Sequence, residues 1–160
     1  MAFDPKSVAP EVTSALLGGL IGRAVTARRT SAPPTGPWFA VAEYHNDRDE
    51  IVGFLVCDAD GACSLAAALS MVPAPLAATA AKTKVLSEML VENLHEVFNV
   101  AARLFQSMDE GRIVLATVHL PPAKLPVVTE AMVRHPKARS DFSLNVTGYA
   151  PGNLALFAVA

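Results

Sequence analysis

The chain has 160 residues, 52% of them apolar and 18% charged, with a formal net charge of −2. A chain of that length buries about two-thirds of its unfolded surface in one core, so a single domain over residues 1–160 is expected, without a disulfide or metal as a staple. The basic residues gather only in small sets, Arg23, Arg28, Arg29 and Arg134, Lys137, Arg139, which argues against a nucleic-acid binder with its continuous basic face.

The start, MAFDPKSVAP, has neither a charged head before an apolar run nor a small-residue cleavage site, so no secretory signal is expected and the cytoplasm is the expected location. Ala59 to Ala81, the longest weakly polar stretch, is interrupted by Asp60, Pro73 and Pro75, which argues against a membrane span. Cys57 and Cys63 stand in no CxxC or Cys/His ligand spacing and are expected as buried thiols.

In chain order, Pro10 followed by EVTSALLGGLIGRAV predicts a helix with the proline in its first turn and Val12, Ala15, Leu16 and Leu20 on its apolar side. The paired Gly18 and Gly19 weaken it locally. AVTARRT reads as a strand and Ser31 to Pro37 as a loop, after which WFAVAEYH and IVGFLVCDA flank NDRDE as an antiparallel hairpin. GACSLAAALSMV predicts a helix ended by PAP. The strongest periodicity runs from about Lys84 to Met108, with Leu86, Leu90, Leu94, Val97, Ala101, Leu104 and Met108 on one side of a helix. Glu88, Glu92, His95, Asn99, Arg103 and Gln106 line the other side, and Glu96 falls at the border beside Glu92 and Asn99. RIVLATVHL then reads as a strand, PVVTEAMVRH as a short helix, and SDFSLNVTGY with NLALFAVA as a second hairpin around APG. The second half repeats the first as helix, strand, insertion and hairpin. Two duplicated αβββ units make an α+β domain in which an antiparallel sheet packs against long helices.

The segment VENLHEVFNV opens like a zinc-protease HExxH motif, with His95 and Glu96, but places Asn99 where the second ligand should stand. A neutral amide oxygen is a weak zinc ligand, and His45, His119 and His135 are in no ligand-like spacing, so a zinc site is not expected. An asparagine instead offers a donor and an acceptor and holds a water by two points. Residues three and four apart on a helix are neighbours, so Glu92, Glu96 and Asn99 form one polar cluster. Phosphoryl transfer needs little beyond such a positioned water and charge neutralisation by a metal, while the carboxylate grips a lysine on a partner.

These residues carry a family resemblance. ENLHEVFN followed by Pro122 resembles the signature of the CheC/CheX/FliY chemotaxis phosphatases: Asp or Ser, three residues, Glu, two residues, Asn, then twenty-two residues and Pro. Glu96, Asn99 and Pro122 stand at those spacings, whereas the first position holds Glu92 in place of Asp or Ser. Shifting the signature back by 85 residues lands on Ser7, Glu11, Ser14 and Pro37, so the first half lacks the asparagine. That resembles the single-site CheX branch more than the two-site CheC branch.

The resemblance implies a CheX-like fold and hydrolysis of the aspartyl phosphate on a CheY-like response regulator in two-component signalling. It implies that Asn99 orients the attacking water, that Glu96 pairs with the regulator's lysine, and that Pro122 shapes the loop after the strand. It further implies no cofactor of the chain's own, since a divalent ion such as Mg is carried by the regulator, and a homodimer formed through sheet edges. The rival expectation is a catalytically inactive CheX-like interaction or dimerisation module, which the Glu92 departure fits. Asn93 falls toward the apolar stripe and must find an internal partner, because an unsatisfied buried amide costs about 1–3 kcal/mol. His95 is expected to be exposed, Trp38 and Phe39 to pack, and GYAPGN to form a hairpin turn.

Overall fold

The computed structural model describes residues 3–34, 36–106 and 111–159. A short 3-10 turn at Pro5–Ser7 leads into α1 (Pro10–Ile21), β1 (Val25–Arg29), β2 (Ala40–His45), β3 (Ile51–Cys57) and α2 (Ala59–Leu69). Then follow α3 (Ala74–Thr83), α4 (Glu88–Ala101), a 3-10 turn at Ala102–Phe105, β4 (Val114–His119), α5 (Val127–Arg134), β5 (Ala138–Val146) and β6 (Gly152–Ala158). No helix among the described residues is long and apolar enough to cross a membrane.

The six strands form one antiparallel sheet in the order β1-β5-β6-β3-β2-β4. Exchanging β1 with β4, β2 with β5 and β3 with β6 returns that order read backwards. Two αβββ units related by an approximate two-fold axis produce this pattern, with the axis between β3 and β6, where Leu55 faces Leu156. The edges are β1 from the first half and β4 from the second. One sheet face, with Ala40, Ala42, Tyr44 and Leu55, is covered by α1, α2 and α4 and holds the main core. The other face carries a smaller cluster of Val41, Phe54, Val56, Ala155 and Phe157, covered by Val133 and Met132 of α5 and by Trp38.

The strands and hairpins match the sequence pattern; the helices depart from it in three places. PAP does not end a helical region but opens α3, because Pro73 is the N-cap and Pro75 sits in the first turn, where a missing N–H costs no hydrogen bond. The long helix starts at Glu88 rather than Lys84: Lys84 takes a left-handed conformation (φ 58°) at the end of α3, and Ser87 caps the new helix. It tightens into the 3-10 turn after Ala101, and Met108 lies outside the described residues. In α1 the fully buried row is Thr13, Leu17 and Ile21; of the expected side, Leu16 and Leu20 are half-buried against the same core, while Val12 is 56% exposed and Ala15 is exposed. Only three residues link α1 to β1, which ties the helix beside that strand and rotates it one position from the expected face. Phe39 is buried just before β2, and Trp38 meets the Phe157 ring edge-on at 6.1 Å.

Candidate functional site

α4 is fixed in rotation by what it buries. The Ser87 hydroxyl oxygen accepts a hydrogen bond from the Leu90 N–H at 3.2 Å, and Leu90, Leu94, Val97, Phe98 and Ala101 are buried. Tyr44, fully buried in β2, donates its hydroxyl to the Phe98 carbonyl at 2.7 Å, and its ring stacks on Phe105 at 4.2 Å. Phe105 in turn meets Phe3 at 4.6 Å. With that face locked in aromatic packing, Glu92, His95, Glu96, Asn99 and Arg103 turn to solvent. Among the described residues, the side chains of Glu92, Glu96 and Asn99 make no hydrogen bond or ion pair.

The other asparagine of the helix behaves oppositely. Asn93 donates to the Ala66 carbonyl at 2.9 Å and to the Ser70 hydroxyl at 2.8 Å, tying α4 to α2 and satisfying the internal requirement read from its position. Pro122 is not on the α4 face: it lies exposed in the loop after β4, behind a cis peptide bond with Pro121, and β4 packs beside α4.

The corresponding place in the first half is bonded internally. Hydrogen bonds from Thr147 N to the Ala24 carbonyl (3.1 Å) and from Thr30 N to the Asp141 carbonyl (2.9 Å) turn the even-numbered residues of β1 toward β5. Val25, Ala27 and Arg29 therefore direct their backbone groups to the free edge. Ser14 of α1 closes the middle of it, accepting from the Ala27 N–H at 2.9 Å and donating to the Pro10 carbonyl at 2.8 Å. Glu11 is exposed one turn away, and Ser7 lies before the helix in the 3-10 turn.

One polar cluster is invisible in the sequence. The β2–β4 register sets Val41 opposite His119 and Glu43 opposite Thr117, which puts His119 diagonal to Glu43 on one sheet face. Glu43 Oε2 meets His45 Nε2 at 2.6 Å, His45 Nδ1 meets Asp49 Oδ1 at 2.8 Å, and Glu43 Oε1 lies 3.8 Å from the buried Nε2 of His119, which has no hydrogen-bond partner among the described residues. Burial pulls the His45 pKa down, but the hydrogen bonds to Asp49 and Glu43 and their charges outweigh it and leave it above the ordinary histidine value. No group of three His, Cys, Asp or Glu among the described residues is arranged to hold a metal ion. Both cysteines are buried, and burial pushes Cys57 well above and Cys63 up to about 11, so both are thiols at neutral pH.

Grooves mark the surface of the described residues. One of about 720 Å³ runs between α1 and β1, and one of about 600 Å³ lies between α5 and the Pro33, Pro34, Trp38 loop. Neither is lined by Glu92, Glu96 or Asn99. The candidate residues stand on an open helix face, a geometry that suits a large rigid partner better than an enclosed small substrate.

No family model matches the sequence, and no curated protein matches it. Solved structures do. FliM from H. pylori, solved in complex with SpeE, superposes with a TM-score of 0.64 at 9% identity over 94% of this chain and 81% of that chain. The fold is that of FliM and FliY. FliY from Thermotoga maritima gives a TM-score of 0.55 at 14% identity over 91% of this chain and 81% of its own. H. pylori FliM solved with FliG gives 0.52 at 10% identity over 96% and 88%. On this FliM/FliY fold, Glu96 and Asn99 occupy the outer face of the helix that opens the second repeat, while Ser14 on the helix of the first repeat is bonded to β1.

Proposed function

We propose that the chain is a CheX-like phosphatase with one site, hydrolysing the aspartyl phosphate of a CheY-like response regulator. The observation that carries this reading is the pairing of Glu96 with Asn99, three residues apart on a rigidly anchored helix, both exposed and free of internal bonds among the described residues. Side chains held for stability are normally bonded, as Asn93 is. The Asn99 carboxamide holds a water through its oxygen and its N–H in line with the phosphorus. The water oxygen bonds to phosphorus, the bond from phosphorus to the aspartyl carboxylate breaks, and inorganic phosphate leaves with the water's hydrogens. Glu96 pairs with the regulator's lysine, and the regulator carries the divalent ion that neutralises phosphoryl charge. Glu92, at the first signature position, adds a second carboxylate one turn before Glu96, and Pro122 shapes the loop after β4.

A homodimer through a sheet edge belongs to the same reading. Of the two edges, β1 is closed by Ser14 and carries Arg28 and Arg29, whereas β4 is uncharged from Val114 to Val118, and charge is what blunts an edge against pairing. A second reading, a non-catalytic interaction module, is favoured by Glu92 in place of Asp or Ser and by the FliM neighbours solved in complexes with SpeE and FliG. Phosphate release from phosphorylated receiver domains separates the two. The phosphatase accelerates it, and Asn99→Ala removes the acceleration; binding without acceleration by the wild type makes the chain an interaction module.

A further inference from the structure

The groove of about 600 Å³ beside α5 lies on the sheet face away from α4, over the cluster of Val41, Val133 and Phe157. Its size is that of a small-molecule pocket, and so is its construction, an apolar floor with a few polar groups. One wall is the loop of Pro33, Pro34 and Pro37, whose rings fix φ, so little entropy is lost in keeping that wall in position. Trp38 follows, half-buried and braced edge-on against Phe157 at 6.1 Å. Leu125 and Val133 complete the apolar lining.

The charged groups of the lining decide what the pocket accepts. Among the described residues they are Arg134, Arg139 and Glu130, two cations against one anion. Arg139 is held in place: Nε and Nη2 donate to Asp141 at 2.9 and 2.8 Å, and Cζ lies over the Phe157 ring, 4.7 Å from its centroid. Asp141 is not part of the lining, and Nη1 of Arg139 has no hydrogen bond among the described residues. Arg134 donates to Glu130 at 3.0 Å in an exposed i, i+4 pair, which contributes little and yields to a competing anion. A cationic ligand would gain from the Trp38 face but meets two guanidinium groups. A neutral apolar one would cover N–H donors without supplying an acceptor. The complementary ligand is therefore an anion with an apolar body, and the guanidinium fork matches a carboxylate.

We infer that this pocket is a ligand site, separate from the α4 face, for a small carboxylate with an apolar chain or ring. The body lies against Trp38, Leu125 and Val133, and the carboxylate meets Arg134 and Arg139. Trp38 is the chain's one tryptophan, so its fluorescence reads this pocket directly. The full chain is titrated with anilinonaphthalene sulfonate, whose sulfonate stands in for the carboxylate, and with phenylnaphthylamine, the same rings without the charge. Decanoate is then added to displace the bound sulfonate. The expected result is a saturable change in Trp38 emission, displacement by decanoate, and binding of the uncharged probe weaker by about tenfold or more. Arg134→Gln changes an exposed residue to another that favours a helix, and should raise the Kd of the sulfonate roughly fivefold with the circular dichroism unchanged. The inference is overturned by any of four results: no saturable response to the sulfonate, equal affinity for both probes, no displacement by decanoate, or a Kd indifferent to Arg134→Gln in the folded variant.

Discussion

The two repeats place a helix beside an edge strand in the same way and use it differently. In the first, Ser14 of α1 is bonded to the Ala27 N–H and the Pro10 carbonyl, and the helix acts as a plug on the β1 edge. In the second, α4 is held from behind by Phe98, Tyr44 and Phe105, and Asn99 is left unbonded among the described residues. The comparison teaches that a helix presents free polar groups only when its stability comes from somewhere else. Here aromatic packing and the Asn93 bonds to α2 supply that stability, so the outer face is left open to solvent.

Three measurements test this difference between the repeats and the packing around them. Phe105→Ala removes the ring that stacks on Tyr44 and Phe3, and chemical denaturation should show a loss of about 3–5 kcal/mol. A loss well below that range means α4 is not anchored from behind as described. Ser14→Ala removes the half-buried plug and should cost about 1 kcal/mol, with no effect on any activity of the α4 face. An effect on that activity would show that the halves do not work separately.

The smallest effect concerns β2 and β4. Because the folded His45 pKa is raised, its bonds to Asp49 and Glu43 stabilise fully below the ordinary histidine value of about 6.5, and that stabilisation disappears as pH rises through the raised value. The groups facing it are Glu43 of β2, Asp49 of the following turn and, across Glu43, His119 of β4. In thermal melts, the advantage of wild type over His45→Gln should shrink as pH is raised from about 6 to about 9. An advantage that grows over this range contradicts the assigned bonds.

Much of this architecture was legible because it depends on local pattern. Alternation marked β5, near-continuous apolar runs marked β2, β3 and β6, and the stripe from Leu90 to Ala101 marked the buried side of α4. The same periodicity separated Asn93, turned inward, from Asn99, turned outward. What escaped depends on context. The prolines of PAP act as a start signal only once Pro73 is known to be a cap, and the rotation of α1 is set by its short tether to β1. The Glu43, His45, His119 cluster exists only through the pairing of β2 with β4, which no local pattern specifies.

Under the phosphatase reading, the second repeat alone carries a working site and Asn99 is its water-holding residue. The most direct measurement is the rate of phosphate loss from phosphorylated receiver domains, with wild type, Asn99→Ala and Ser14→Ala compared at equal concentration. Acceleration is expected from wild type and from Ser14→Ala, with a loss of about 100-fold or more in Asn99→Ala. Acceleration that survives Asn99→Ala, or that disappears with Ser14→Ala while the protein remains folded, would contradict it.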